Sequence, residues 1–183
     1  MNYRHYQNGF TILELLIALG IVGILAAVAM PGFMETIGAA GVNGASKTLN
    51  NTLSLARSEA ISRGQDVSIC PANTTMDDCS VTSWSNGWIV FIDTNGDATG
   101  ATGSIDLAGT TPDVIIQTFQ PLNDVVVTST LDLLQYNSRG YGLNGATVTL
   151  KICPEDNNAS NARSIIVGLA GSARINEGGL TCP

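Results

Sequence analysis

Basic residues are missing from the middle of this 183-residue chain: between Gly64 and Asn137 there is no lysine or arginine, whereas nine aspartates fall there, from Asp66 to Asp132. Over the whole chain 8 Lys and Arg stand against 15 Asp and Glu, a formal net charge of −7 at pH 7. No overall positive field draws in nucleic acid, so the chain average argues against a dedicated nucleic-acid binder. The few cations lie outside the acidic stretch. Lys47, Arg57 and Arg63 precede it, and Arg139, Lys151, Arg163 and Arg174 follow it with only Glu155, Asp156 and Glu177, so the C-terminal part is close to neutral. The acidic middle reads as a solvated surface, with a docking surface for another subunit as the alternative.

Histidine is almost absent too. The only one, His5, stands at the extreme N-terminus. No other histidine is available as a general base, and no glycine loop followed by lysine is present to cradle a phosphate. The chain therefore reads as something other than an enzyme, with no cofactor implied.

What is present is one long apolar run, residues 9 to 34, carrying a single acid, Glu14. From Leu15 to Met30 nothing is charged, and Phe10 to Met30 as a helix rises roughly 30 Å, the depth of a bilayer core. Arg4 followed by an apolar core and Ala27-Val28-Ala29 also fits a secretory signal peptide, and the run alone fits an ordinary single-pass anchor. Neither explains Glu14, because an ionised carboxylate in hydrocarbon costs on the order of 3 kcal/mol. Glu14 wants a cationic partner.

Gly9-Phe10-Thr11-Ile12-Leu13-Glu14 resembles the processing site of type IV pilins and type II secretion pseudopilins. The resemblance implies a leader over residues 1–9, cleavage by a prepilin peptidase after Gly9, and N-methylation of Phe10. It also places Pro31 where such subunits often carry a helix-bending proline. The new amine on Phe10 is the cation that a carboxylate in apolar surroundings lacks, so Glu14 of one subunit is expected to pair with Phe10 of a neighbour. The helix then serves twice, as an anchor in the bacterial inner membrane with the soluble domain in the periplasm, and later as the packed core of an extracellular fibre.

Four cysteines behind an export-type segment read as two disulfides, and three connectivities are open. Cys70 to Cys79 is too wide for a Cys-x-x-Cys knuckle and Cys153 to Cys182 wider still, which speaks against zinc. Pairing Cys70 with Cys79 and Cys153 with Cys182 is the favoured arrangement.

Past Pro31, Gly32, Gly38, Gly41 and Gly44 weaken the helix by about 1 kcal/mol each relative to Ala, so a bend or partial melting is expected there. From Ala45 an apolar stripe resumes, Ala45, Leu49, Leu53, Ala56 and Ala60, and Gly64 supplies the stop. Lys47, Asn51, Arg57 and Arg63 fall off the stripe, as on a helix packed on a sheet and polar outside. Beyond it, β-rich runs alternate with turn clusters: 67–70, 88–93, 114–119, 125–130, 133–136, 147–152 and 164–169, an antiparallel pattern. The fold class is α+β: a long N-terminal helix, half transmembrane and half amphipathic, packed on an antiparallel sheet domain. The expected segments are a leader (1–9), an apolar assembly helix (10–38) and a soluble domain (39–183).

Asp93, Asn95 and Asp97 stand at the 1, 3 and 5 spacing of a calcium loop. The sixth and twelfth positions are Ala98 and Ser104 where the EF-hand needs Gly and Glu, so a solvated hairpin loop is expected, with a loose calcium site as the alternative. The stretches 55–64 and Gly87-Trp88-Ile89-Val90-Phe91-Ile92-Asp93, with the strand Ile165-Ile166-Val167 before Gly171, are similar to the GspH/FimT family of minor pilins and pseudopilins. That resemblance implies major and other minor pilins as partners. Some relatives resemble DNA receptors carrying Gly-Arg-x-Arg; here Gly171-Ser172-Ala173-Arg174 keeps one arginine of the two. Arg139, Arg163 and Arg174 are then the candidate phosphate contacts, and weak ones at physiological salt.

Overall fold

The structure is a computed structural model that describes residues 10–79, 83–98, 105–108, 110–178 and 180–182, without the side chains of residues 29–35. Two units divide the chain, residues 1–37 and 38–183. Helix α1 runs Ile12–Arg63.

In the first unit the Thr11 hydroxyl oxygen accepts from the Glu14 backbone N–H at 3.2 Å. This is an N-cap, with an acid at the third helical position where the positive end of the helix dipole favours it. The large side chains from Ile12 to Val28 are more than half exposed. Among the described residues no helix is long and apolar enough to cross a membrane. The span expected for Phe10 to Met30 reaches past Val28 into side chains outside the description.

The second unit is built on the apolar stripe. Val42, Ala45, Leu49, Leu53, Ala56 and Ala60 are all buried, while Lys47, Asn51 and Arg63 are exposed. They face two four-stranded antiparallel sheets. The first has the order β3-β2-β1-β5, with β1 Val67–Pro71, β2 Trp88–Ile92, β3 Val114–Phe119 and β5 Leu134–Tyr136. The second has the order β4-β6-β7-β8, with β4 Val125–Ser129, β6 Val148–Pro154, β7 Arg163–Val167 and β8 Ala173–Glu177. Because side chains alternate along a strand, each sheet presents one apolar face to the helix: Val67, Ile69, Trp88, Val90 and Tyr136 from the first, and Val127, Leu150, Ile152 and Ile165 from the second. The Trp88 indole N–H donates to the Thr52 hydroxyl at 3.1 Å and its ring stacks on Phe119 at 5.3 Å, so Trp88 is core.

The helix stays hydrogen-bonded through the stretch where partial melting was expected. Two of its glycines explain why: a Cβ on Gly38 would stand 3.7 Å from the Pro154 side chain, and one on Gly41 3.7 Å from Val125. The glycines let the helix lie close to β4 and β6, and this packing offsets their low propensity. The helix ends at Gly64, φ +67, whose N–H reaches the Ala60 carbonyl.

The outer face of the first sheet is also covered. Ile89, Phe91, Cys70 and Leu133 pack with Ala98, Ile105 and Met76 from the loops after β1 and β2 into a second small core.

Candidate processing and assembly site

Phe10 is 84 % exposed in front of α1, one residue from the cap, and Glu14 sits in the first helical turn. Gly9 lies outside the described residues, and so does the side chain of Pro31, whose backbone is helical. Among the described residues Glu14 forms no ion pair. Glu14 lines one shallow surface hollow with Phe10, Leu15 and Ala18 and a second with Thr11, Ile17 and Ala18. The first turn thus offers a carboxylate framed by uncovered apolar side chains.

The cysteines join as Cys70–Cys79 and Cys153–Cys182. The first bridge closes the loop over the outer face of the first sheet. The second ties the C-terminus to β6.

Arg57, expected as helix decoration, instead clasps two turns. Its Nε donates to the Gly140 carbonyl at 3.0 Å and an NH2 group donates to the Ala170 carbonyl at 3.1 Å. Both turns close on glycines of positive φ, and a Cβ on Gly171 would stand 2.0 Å from the Gly140 oxygen, so the two turns are in backbone contact. Beside the clasp lies an open groove of about 340 Å³ lined by Leu53, Arg57, Ile61 and Ser172. Beneath it, the buried Tyr136 hydroxyl has no hydrogen-bond partner among the described residues. Burial pushes this phenol up to about 12, against the pull of the Arg57 charge.

Two of the three arginines expected at a phosphate surface, Arg163 and Arg174, are not brought together. Arg163 and Arg174 lie on adjacent strands, but Arg163 pairs in register with Glu177 and Arg174 with Ile166, which puts them on opposite faces of the sheet. Arg163 is half-buried, with Nε 3.5 Å from Glu177 Oε1, and Arg139 sits in the exposed turn before Gly140.

At the calcium-like loop, Asn95 donates to Asp97 at 2.8 Å, and the carboxylates of Asp93, Asp97 and Asp113 lie within 4.8 Å of one another. Asp113 is a member that the spacing did not reveal. Asp93 accepts from the Gly96 N–H, and Asp113 from those of Thr94 and Asp106. Burial raises the Asp93 carboxyl above its ordinary range, with the Asp113 charge adding to the effect and the Gly96 hydrogen bond opposing it.

A long capped N-terminal helix whose second half lies on antiparallel sheets, with an acid four residues after an exposed phenylalanine, defines a pilin-type subunit. A model of the prokaryotic N-terminal methylation motif matches residues 4–30, and a model described as type II transport protein GspH matches residues 45–171. The chain belongs to the GspH family. The fold is similar to that of the type IV minor pilin FimU of Pseudomonas aeruginosa, with a TM-score of 0.56 and 19% identity over 78% of this chain and 95% of that one. A second crystal form of FimU gives 0.53 and 19% over 77% and 99%. The minor pseudopilin EpsH of the Vibrio cholerae type 2 secretion system aligns at 0.46 and 15% identity over 76% and 98%.

Proposed function

We propose that this chain is a minor pilin, cut by a prepilin peptidase between Gly9 and Phe10, methylated on Phe10, and taken from the inner membrane into a type IV pilus, where it helps to prime the fibre near its tip. It is a structural subunit and not an enzyme. The observation that carries this reading is the methylation motif together with a helix whose large apolar side chains, Ile12 to Val28, are exposed among the described residues. Such a surface needs lipid first and neighbouring helices afterwards. Glu14 then meets the Phe10 amine of the next subunit.

The second reading is a minor pseudopilin of a type II secretion system, favoured by the description of the matching family. A deletion strain with complementation separates the two when surface fibres and secreted exoproteins are scored in one culture. Lost fibres with normal secretion support the pilus, and lost secretion with normal fibres supports the pseudopilin. A DNA-binding minor pilin is the third reading, and the placing of Arg163 and Arg174 on opposite faces of their sheet speaks against it. Anisotropy on duplex DNA that stays flat at low salt removes it.

A further inference from the structure

Three segments of the chain have the form Asn-x-Ser/Thr, the acceptor pattern of N-glycosylation: Asn50-Asn51-Thr52, Asn73-Thr74-Thr75 and Asn158-Ala159-Ser160. The fold sorts them. Asn50 lies inside α1, and the Thr52 hydroxyl is buried, donating to the Thr48 carbonyl while accepting from the Trp88 indole. At the second segment the Asn73 amide donates to Asp77 Oδ1 at 2.8 Å, and the Thr75 hydroxyl donates to the same oxygen, so both groups of the pattern are held by one carboxylate. Asn158 differs on each count.

Asn158 lies in the connection between β6 and β7, where residues 155–157 and 159–160 are exposed. It caps a single 3-10 turn, Ala159–Asn161. Its Oδ1 accepts from both the N–H and the hydroxyl of Ser160, which brings the amide and the hydroxyl of the pattern into direct contact. An acid stands two residues earlier: Asp156 Oδ1 accepts from the Asn158 N–H at 2.9 Å. Asp156-x-Asn158-x-Ser160 is the acid-extended form of the pattern, and neither Pro71 before Asn73 nor Thr48 before Asn50 provides it. One short turn with exposed hydrogen bonds opens at little cost, as an enzyme acting on this segment requires.

From these observations we infer that Asn158 is an N-glycosylation site, modified outside the cytoplasm by a transferase using a polyisoprenyl pyrophosphate-linked sugar. Asn158 Nδ2 attacks the anomeric carbon; the C–N bond forms, the C–O bond to pyrophosphate breaks with its electron pair leaving on the pyrophosphate, and the displaced amide proton passes to a base of the transferase. The inference rests on the export reading above.

Mass spectrometry of the full chain, extracted in detergent from the cells that naturally make it, tests both. Trypsin cuts after Lys151 and Arg163, so one peptide holds Cys153 and Asn158, bridged to the peptide holding Cys182. The expected result is a sugar on Asn158 with the bridge intact, lost in Asp156→Ala and Ser160→Ala, kept in Ser160→Thr, and absent from Asn73. Bare Asn158, or a sugar on Ser160 instead, overturns the proposal. With the bridge formed the modification alone falls; with Cys153 reduced the export reading falls with it. The bridge reports folding of each variant in the same spectrum.

Discussion

Replacing Arg57 with alanine tests whether one helix side chain holds the far end of the domain together. The guanidinium makes two charge-assisted hydrogen bonds, to Gly140 at 3.0 Å and to Ala170 at 3.1 Å. A hydrogen bond to an ionised donor contributes about 1.5–3 kcal/mol when screened from water, and the Ala170 bond is exposed, so the pair together is worth roughly 2–4 kcal/mol. At ~2–4 °C per kcal/mol for a domain of this size, Arg57→Ala should lower the melting temperature by roughly 5–15 °C. Calorimetry of the full chain in detergent measures it, and amide exchange should quicken in the turns around Gly140 and Gly171. Arg57→Lys separates charge from geometry, because an ammonium cannot span both carbonyls as a planar fork does; it should restore less than half of the loss. Arg63→Ala is the control, breaking only an exposed pair with Glu59 and costing no more than about 0.5 kcal/mol. A loss of under about 1 kcal/mol in Arg57→Ala, or full recovery with lysine, refutes the clasp.

Glu14→Ala should leave peptidase cleavage and methylation intact yet abolish recovery in sheared fibres; normal recovery removes the Glu14–Phe10 pairing. Burial raises the phenol of Tyr136 from 10.0 to about 12, so the folded state loses nothing on its account below pH 10 and loses stability as the pH climbs from 10 toward 12, by at most about 3 kcal/mol. Tyr136→Phe should flatten denaturant midpoints over that window without lowering stability at pH 7, since the hydroxyl has no hydrogen-bond partner to lose among the described residues. Removing the Cys153–Cys182 bridge by paired alanines should cost about 4 kcal/mol and removing Cys70–Cys79 about 3, from loops spanning 29 and 9 residues of sequence separation, as read from urea midpoints. Millimolar calcium should leave the melting temperature unchanged, because Asp93 and Asp113 are engaged by backbone N–H groups; a rise of more than about 2 °C would restore the calcium reading.

The elements that sequence reasoning located are those whose local pattern and tertiary role agree. The stripe from Ala45 to Ala60 is buried as its spacing implies, and the run Val114–Phe119 forms a strand over those same residues. Strand β8, Ala-Arg-Ile-Asn-Glu, escaped because it is an exposed edge, ordered by main-chain pairing with β7 and not by apolar alternation. Arg57 escaped for a related reason: its partners are carbonyls 83 and 113 residues away, and carbonyls leave no mark in a sequence. The separation of Arg163 from Arg174 was legible only once register was known, since a count of basic residues does not say which face of a sheet each occupies. At the N-terminus the position was reversed. Phe10 and Glu14 stand out in the sequence by spacing and isolated charge, and the structure adds the Thr11 cap, a local reason for an acid at that position.

That cap and the acidic middle follow one rule. Asp66 accepts from the Ser138 N–H, Asp78 from those of Cys79 and Ile105, and Asp106 from that of Ala108, alongside the bonds of Asp93 and Asp113. Asp77, held below the ordinary carboxyl range first by Thr75 and then by Asn73, fastens its own loop through side chains instead, accepting from the Thr75 hydroxyl and the Asn73 amide. These loops carry the cover of the second core without helix or ladder to satisfy their N–H groups, and a carboxylate supplies acceptors that such backbone otherwise lacks. Lysine and arginine have no acceptor to offer and could not take this role. Five of the nine aspartates, Asp66, Asp78, Asp93, Asp106 and Asp113, thus accept from backbone N–H groups, and that share of the negative field comes with loop fastening.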